Sequence, residues 1–140
     1  MRQALLILAA CCGGWATAAS AADYAAMSGQ DLYGRFCASC HGISGRGDGP
    51  VSASLRVEVP DLTLVAHRAN GTYPRERVMH IIDGRYIIVA HGTRIMPVWG
   101  EDLAGLEIGN PDAERSSQTL IGRLADYVGT LQRRPQWTQP

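Results

Sequence analysis

One short pattern, Cys37-Ala38-Ser39-Cys40-His41, constrains the fold of this chain more than any other feature. It sets two thiols about one helical turn apart and follows the second with an imidazole. The chain's other cysteines, Cys11 and Cys12, lie in an N-terminal segment that we expect to be removed. One close pair of cysteines cannot supply a disulfide framework, so this pair is available to hold a cofactor or a metal.

C-x-x-C-H is the attachment pattern of c-type haem. Two thiols at this spacing can each add to a vinyl group on one edge of the porphyrin, and the next imidazole then reaches the iron from one face. The pattern therefore predicts one covalent haem c, attached at Cys37 and Cys40, with His41 as an axial ligand of the iron. The long loops predicted below need a bulky group to pack on, and a haem would provide it.

Two other uses of the pattern agree less well with the rest of the sequence. A redox dithiol of the thioredoxin type would need a βαβ surround, whereas the periodicity here is helical. A zinc site would need two more cysteines or histidines at ligand spacing, and the sequence has no second pair. Haem attachment is the interpretation that we carry forward.

The first and last helices are predicted from local signals. Ser28-Gly29-Gln30-Asp31 can form a capping box, which predicts a helix from about Gly29 to Ala38. Apolar residues recur at three- and four-residue steps between Leu120 and Leu131, which predicts a closing helix. That helix starts either at Asn110-Pro111 or nearer Ser117.

The middle of the chain reads as shorter helices joined by loops. The segment from Pro60 to Gly71 predicts one or two helical turns, and the segment from Pro74 to Gly84 predicts a clearer helix. Tyr86 to Ala90 is an apolar run that is either strand or helix, and Gly92 to Gly109 is loop-like. We therefore predict an all-α domain of about four to five helices.

The N-terminus has the anatomy of a secretory signal peptide. Arg2 gives a positive start, Ala4 to Ala10 is an apolar run too short to span a bilayer, and Ala19-Ser20-Ala21 offers a cleavage site. A membrane anchor or a buried N-terminal helix is disfavoured because Gly13-Gly14 follows the apolar run. We expect residues 1–21 to be a signal peptide and the protein to be periplasmic.

Removal of the signal peptide leaves one domain, residues 22–140, of which 133–140 reads as a frayed tail. A competing interpretation is a lipobox at Leu8-Ala9-Ala10-Cys11, which would leave a lipid anchor on Cys11. The chain carries 13 basic and 13 acidic residues, and loss of Arg2 changes that balance by one. No nucleic-acid partner is implied, and membrane contact is expected only through partners or the lipid anchor.

Taken together, these motifs make the mature chain similar to class I cytochromes c over essentially its whole length. Met96-Pro97-Val98-Trp99-Gly100 resembles the family's Met-Pro-x-aromatic-Gly ligand loop, and Pro60-Asp61-Leu62 resembles its Pro-x-Leu segment. The resemblance implies that the carbonyl of Pro60 accepts the other ring proton of His41, which would orient the imidazole. An ordinary turn proline is the alternative for Pro60.

The resemblance also implies that the first and last helices cross. Gly29, Tyr33 and Cys37 repeat at four-residue steps, as in the family's small-aromatic-Cys pattern, and Leu124 and Tyr127 match its Leu-x-x-aromatic pair. A glycine on one helix lets another backbone approach closely, while the aromatic rings fill the crossing. The implied fold is a small class I cytochrome c domain wrapped around one covalent haem.

The second axial ligand decides whether the iron carries electrons or binds small molecules. The candidates are the remaining methionines and histidines of the mature chain: Met27, His67, Met79, His80, His91 and Met96. Met96 is favoured because Pro97 holds its loop extended and the flanking residues match the family, and because a thioether is a common haem ligand. His91 is the main rival, and an open sixth site is the third possibility.

Three features depart from the family or are not carried by a motif. The stretch 101–119 is longer than the family minimum, and the lysines that often surround the haem edge are absent. No motif identifies the residues that hold the haem propionates, so candidates are chosen by the chemistry of their side chains alone. The candidates are Arg68, Arg85, Tyr86, Arg94 and Trp99.

With both axial positions filled, the resemblance implies a non-enzymatic electron carrier that passes single electrons between redox partner proteins whose identity the sequence does not give. One alternative is a gas-binding or enzymatic haem protein with an open sixth site. Another is a haem-c subunit held in a dehydrogenase or oxidase complex, with contacts through residues 101–119 or a lipidated Cys11.

Overall fold

The computed structural model describes residues 22–85, 96–105 and 109–133. Within these residues the chain is helical and has no strand, which confirms the predicted all-α class. The helices are α1 (Ala22–Ala25), α2 (Gly29–Phe36), α3 (Ala38–His41), α4 (Val65–Arg68), α5 (Arg75–Asp83), α6 (Trp99–Ala104) and α7 (Pro111–Thr130), with 3-10 turns at Ser52–Ser54 and Leu62–Leu64. Among them α2, α5, α6 and α7 are longer than one turn, in agreement with the predicted four to five helices.

The capping box predicts the start of α2 correctly. The Ser28 hydroxyl accepts from the Asp31 amide at 3.1 Å, and the Asp31 carboxylate accepts from the Ser28 amide at 3.2 Å. The helix ends at Phe36 rather than at the predicted Ala38, because Cys37 departs from ideal helical angles before α3 begins. Main-chain bonds continue across this break, with the His41 amide donating to the Cys37 carbonyl at 2.9 Å.

Helix α7 starts at Pro111, the earlier of the two predicted positions. The Asn110 side chain accepts from the Asp112 amide, and Pro111 occupies the first turn, where its missing N–H costs nothing. The helix packs against α2, α5 and α6, and its buried face includes Leu120, Ile121 and Leu124.

The implied crossing of the first and last helices is present. A Cβ on Gly29 would overlap the carbonyl oxygen of Arg123 in α7, so the two backbones are in direct contact there. The Tyr33 and Tyr127 rings pack beside this point with centroids 5.2 Å apart. Glycine at the contact lets α2 and α7 approach this closely.

One prediction is wrong: the loop expected from Gly92 to Gly109 contains α6. Pro97 and the nearby glycines favour a loop in the sequence, but the segment contains a short helix. Its first turn carries Glu101 and Asp102, which are favourable at a helix N-terminus. Leu103 and Ala104 are buried against the core and hold the helix in place. Part of the stretch whose role the sequence left open, 101–119, is therefore α6 and the first half of α7.

The remaining predictions for the middle of the chain are confirmed where they can be checked. Asp61 caps the turn that begins at Leu62, and α5 ends at Gly84, which adopts left-handed angles (φ 71°). The apolar run from Tyr86 to Ala90 and the predicted signal peptide lie outside the described residues. In the part of the chain that is described, no helix combines the length and the apolar character needed to cross a membrane.

Candidate haem site

The three side chains of the C-x-x-C-H pattern lie at the junction of α2 and α3. Cys37 is 8% exposed and belongs to the hydrophobic core, while Cys40 and His41 are half-buried. Main-chain hydrogen bonds set the relative positions of these three residues: the amides of Cys40 and His41 both donate to the Cys37 carbonyl, at 3.1 and 2.9 Å. Local helical geometry therefore brings all three to one cleft.

The cleft consists of two cavities, of about 190 Å³ and 360 Å³. Five residues line both of them: Cys37, His41, Pro60, Ile81 and Met96. The rest of the lining is mainly aliphatic or aromatic, with Leu62, Val65, Val78, Leu124 and Val128 around the smaller cavity and Phe36, Leu55, Val57, Val59 and Trp99 around the larger. The apolar walls, the thiol pair, the imidazole and the thioether together fit the predicted haem.

Met96 is half-buried, packs against the core and faces the same cleft as His41. Of the other candidates for the second axial position, Met79 packs on the core and accepts a hydrogen bond from Arg75 Nη1 at 2.9 Å, outside this lining. Met27 also packs on the core elsewhere. The rival ligand His91 lies outside the described residues.

The structure brings Pro60 to His41, as the resemblance implied. Nδ1 of His41 lies 3.2 Å from the carbonyl oxygen of Pro60. Because a carbonyl only accepts, Nδ1 donates the proton, which leaves Nε2 with its lone pair free for a metal. Burial lowers the pKa of His41, and the Pro60 carbonyl opposes this only in part, so the neutral form of the imidazole is favoured.

The Pro60 segment is held by residues that the sequence did not indicate. Arg133, assigned above to a frayed tail, instead donates from Nε to the Thr63 hydroxyl at 2.7 Å and from Nη2 to the Asp61 carboxylate at 2.9 Å. Gln132 donates to the Leu62 carbonyl at 2.8 Å. These partners are about 70 residues apart, so no local pattern could reveal them.

The cysteine environment disagrees with the redox-dithiol interpretation. Burial, together with a smaller effect of the neighbouring Cys40, raises the pKa of the Cys37 thiol to about 12. A catalytic dithiol needs a lowered thiol pKa, since the thiolate is the reactive form. Among the residues with assigned positions, no three His, Cys, Asp or Glu side chains converge on a point as a zinc site would require.

The propionate candidates separate into two groups. Arg68 and Trp99 line the cleft: Arg68 donates to the Asp61 carbonyl at 2.7 Å, and Trp99 packs on Phe36 with ring centroids 5.3 Å apart. Arg85 is absent from the lining and forms ion pairs with Asp83 and Glu114 instead. The described residues therefore do not bring Arg85 to the cleft, and its role toward a propionate stays a prediction. Tyr86 and Arg94 lie outside the described residues.

The comparison with protein families agrees with this site. The family model described as Cytochrome c matches residues 26–118, more than half of the chain, from just before α2 into α7. No curated protein and no solved structure matches the chain.

Proposed function

Because the chain belongs to the cytochrome c family, whose domain binds haem c covalently and transfers electrons, we propose that it is a periplasmic electron carrier. In this proposal Cys37 and Cys40 would hold the haem, and His41 and Met96 would bind its iron. The observation that carries the assignment is that His41 and Met96 both line the cleft that the two cysteines enter. When bound there, haem iron supplies the reversible one-electron step.

The side chains that would bind the iron determine its redox potential and whether a substrate can reach it. His41, whose neutral form burial favours and whose ring the Pro60 carbonyl orients, would offer Nε2 to the iron. Met96 offers a soft thioether, which favours the reduced iron and raises the potential relative to a second imidazole. If His41 and Met96 both bind the iron, a substrate would have no site on the metal. This supports a carrier rather than an enzyme, in line with the usual role of the family.

The edge of the cleft offers a contact for redox partner proteins. Leu55, Val57 and Ile81 line the cavities and are 42%, 37% and 46% exposed. Apolar side chains exposed beside a cofactor suit brief contact with another protein, because little polar surface has to be desolvated. A permanent place in a dehydrogenase or oxidase complex would use the same surface, and purification distinguishes the two: a carrier remains monomeric and alone on dilution.

The periplasmic location rests on the leader pattern of residues 1–21. Intact-mass measurement of the protein isolated from its source tests it. A mature chain that begins near Ala22 and carries one haem supports export by cleavage. A start at Cys11 with added acyl mass would show lipid anchoring instead, and an unprocessed Met1 would contradict both.

The ligand assignment is tested by Met96→Ala with Met79→Ala as the matched control, since both methionines are half-buried and only Met96 lines the cleft. We expect the sulfur-to-iron band in the near-infrared to disappear in Met96→Ala and to persist in Met79→Ala. Carbon monoxide should bind the reduced Met96→Ala protein readily and the native protein slowly. If the native protein binds carbon monoxide as fast as the variant, the sixth site is open and the gas-binding interpretation replaces the carrier.

Covalent attachment is tested separately. The haem should survive acid-acetone extraction and denaturing electrophoresis in the native protein. The double variant Cys37→Ala with Cys40→Ala should lose it under the same treatment. Haem that stays bound to the double variant after extraction would show that the two thiols are not its attachment points.

A further inference from the structure

We propose that Asp83 and Arg85 form a positioning pair that fixes the loop carrying Met96 and thereby keeps the thioether over the cleft. The inference rests on the proposed ligation by Met96 and names what maintains it. Neither residue lines the cleft, so their action is through the loop. The proposal combines a buried ion pair with two close approaches: Gly100, in the first turn of α6, lies against that pair, and Val98 lies against Gly84 at the end of α5.

The ion pair is buried and joined at both ends. Asp83 is 2% exposed and its carboxylate accepts from Arg85 Nε at 2.6 Å, from Arg85 Nη2 at 3.0 Å and from Gln118 Nε2 at 2.6 Å. Arg85 also donates from Nη1 to Glu114 at 2.6 Å. The pair therefore ties the C-terminal end of α5 to the first turns of α7.

The ligand loop lies directly on this pair. A Cβ on Gly100 would overlap Asp83 Oδ1 and reach Arg85 Nε, so the Gly100 backbone is in contact with both charged groups. The Gly100 carbonyl also accepts from the hydroxyl of Ser117, a side chain with no solvent exposure, at 3.2 Å. Gly100 is therefore held from two sides, four residues after Met96.

A second contact holds the loop nearer to Met96. Gly84, the left-handed residue that ends α5, faces Val98, and a Cβ there would lie 3.3 Å from the Val98 Cα. The end of α5 thus supports the loop at Val98 while the ion pair supports it at Gly100. Between these two points the loop turns into α6, which begins at Trp99.

A stability role alone does not account for a buried ion pair in this position. Burying a carboxylate and a guanidinium is costly, and apolar residues of similar size often give equal or greater stability. What the pair supplies is a fixed geometry, because a bidentate Arg–carboxylate contact holds its partners in one orientation. The fixed object here is the backbone of the loop that presents Met96.

The chain contains a matched comparison, the ion pair between Arg75 and Asp126. It also joins α5 to α7 through a short contact, 2.6 Å, but at the other end of α5, and its aspartate side chain is 60% exposed. Asp126→Asn therefore removes an α5–α7 ion pair without touching the residues around Gly100. Asp83→Asn removes the pair beneath the loop, because an amide keeps the shape but loses the charge and faces donors with its own N–H groups.

The test measures how often Met96 leaves the iron. Imidazole can bind the ferric protein only after the thioether has moved away, so its binding rate reports loop opening. We expect Asp83→Asn to bind imidazole at least about tenfold faster than the native protein, the change that follows from losing one hydrogen bond to a charged group. Asp126→Asn should bind it at the native rate. The near-infrared sulfur-to-iron band should weaken in Asp83→Asn and stay unchanged in Asp126→Asn.

Two further variants keep the proposal falsifiable if Asp83→Asn folds poorly. Ser117→Ala removes the other support of Gly100 and leaves the ion pair, and Gly100→Ala forces a methyl group into the pair; both should accelerate imidazole binding. Equal rates for Asp83→Asn and Asp126→Asn, or native rates for all variants at the loop, would overturn the positioning role. If the native protein lacks the sulfur band and Met96→Ala changes nothing, it is the proposed ligation that is wrong.

Discussion

Replacing Gly29 by alanine tests the helix crossing that holds the two ends of the fold together. The added Cβ would overlap the Arg123 carbonyl oxygen and lie 3.0 Å from the Arg123 carbonyl carbon and the Tyr127 Cβ. Two of these atoms are main chain inside α7, so no side-chain rotation relieves the overlap. Either α2 or α7 must shift, and the packing of Tyr33 on Tyr127 shifts with it.

The expected change in the free energy of unfolding is the balance of two opposing effects. Overpacking a tight contact costs about 1–3 kcal/mol, whereas alanine in place of glycine gains at most about 1 kcal/mol of helix propensity. The first effect is larger because the obstacle is backbone. We expect Gly29→Ala to lower the free energy of unfolding by up to about 2 kcal/mol, which is what remains of the overpacking cost after the full propensity gain is subtracted.

Gly34→Ala in the same helix is the control. Nothing lies within 4 Å of a Cβ built on Gly34, so this variant should gain about 0.5–1 kcal/mol. Guanidinium unfolding of the haem-loaded protein, followed by far-ultraviolet circular dichroism, measures both variants. If Gly29→Ala is as stable as Gly34→Ala, the helices do not approach at Gly29 as described and the reasoning fails.

Three further outcomes can be measured. Tyr33→Phe removes a hydroxyl that donates to a buried main-chain carbonyl at 2.7 Å and should cost about 1–3 kcal/mol in chemical denaturation. Gln132→Ala removes bonds to the Leu62 and Val128 carbonyls and from the Ala66 amide, so amide hydrogen exchange near Ala66 should accelerate. Burial raises the pKa of Asp83, but hydrogen bonds from Arg85 and Gln118 outweigh it and hold the pKa below its ordinary 3.8. The stability this carboxylate contributes is therefore present above pH 3.8 and is lost as pH falls toward the lower folded value, a dependence of melting temperature that Asp83→Asn should lack.

The sequence predicted those elements whose boundaries depend on neighbouring residues. The start of α2 follows from Ser28 and Asp31, and the end of α5 follows from Gly84, since capping involves residues within one turn. The attachment pattern at Cys37 to His41 is equally local. The crossing at Gly29 was predicted only through the family resemblance.

What the sequence did not reveal depends on contacts between distant parts of the chain. Helix α6 is short and is stabilised by burying Leu103, which no six-residue window can show. The chemistry of Arg85 suits an anion, but no local pattern shows that its side chain forms ion pairs with Asp83 and Glu114. Arg133 likewise supports the Pro60 segment from a position far along the chain, and the sequence around Arg133 resembles a tail.

Helix α7 supports both of the segments that face the cleft. Its 20 residues extend over about 30 Å, and its first turns hold the Gly100 loop while the residues just after its end hold the Pro60 segment. Because one helix supports both segments, unfolding of α7 would release the Gly100 and Pro60 segments together and open the cleft around Cys37, which is 8% exposed in the folded protein.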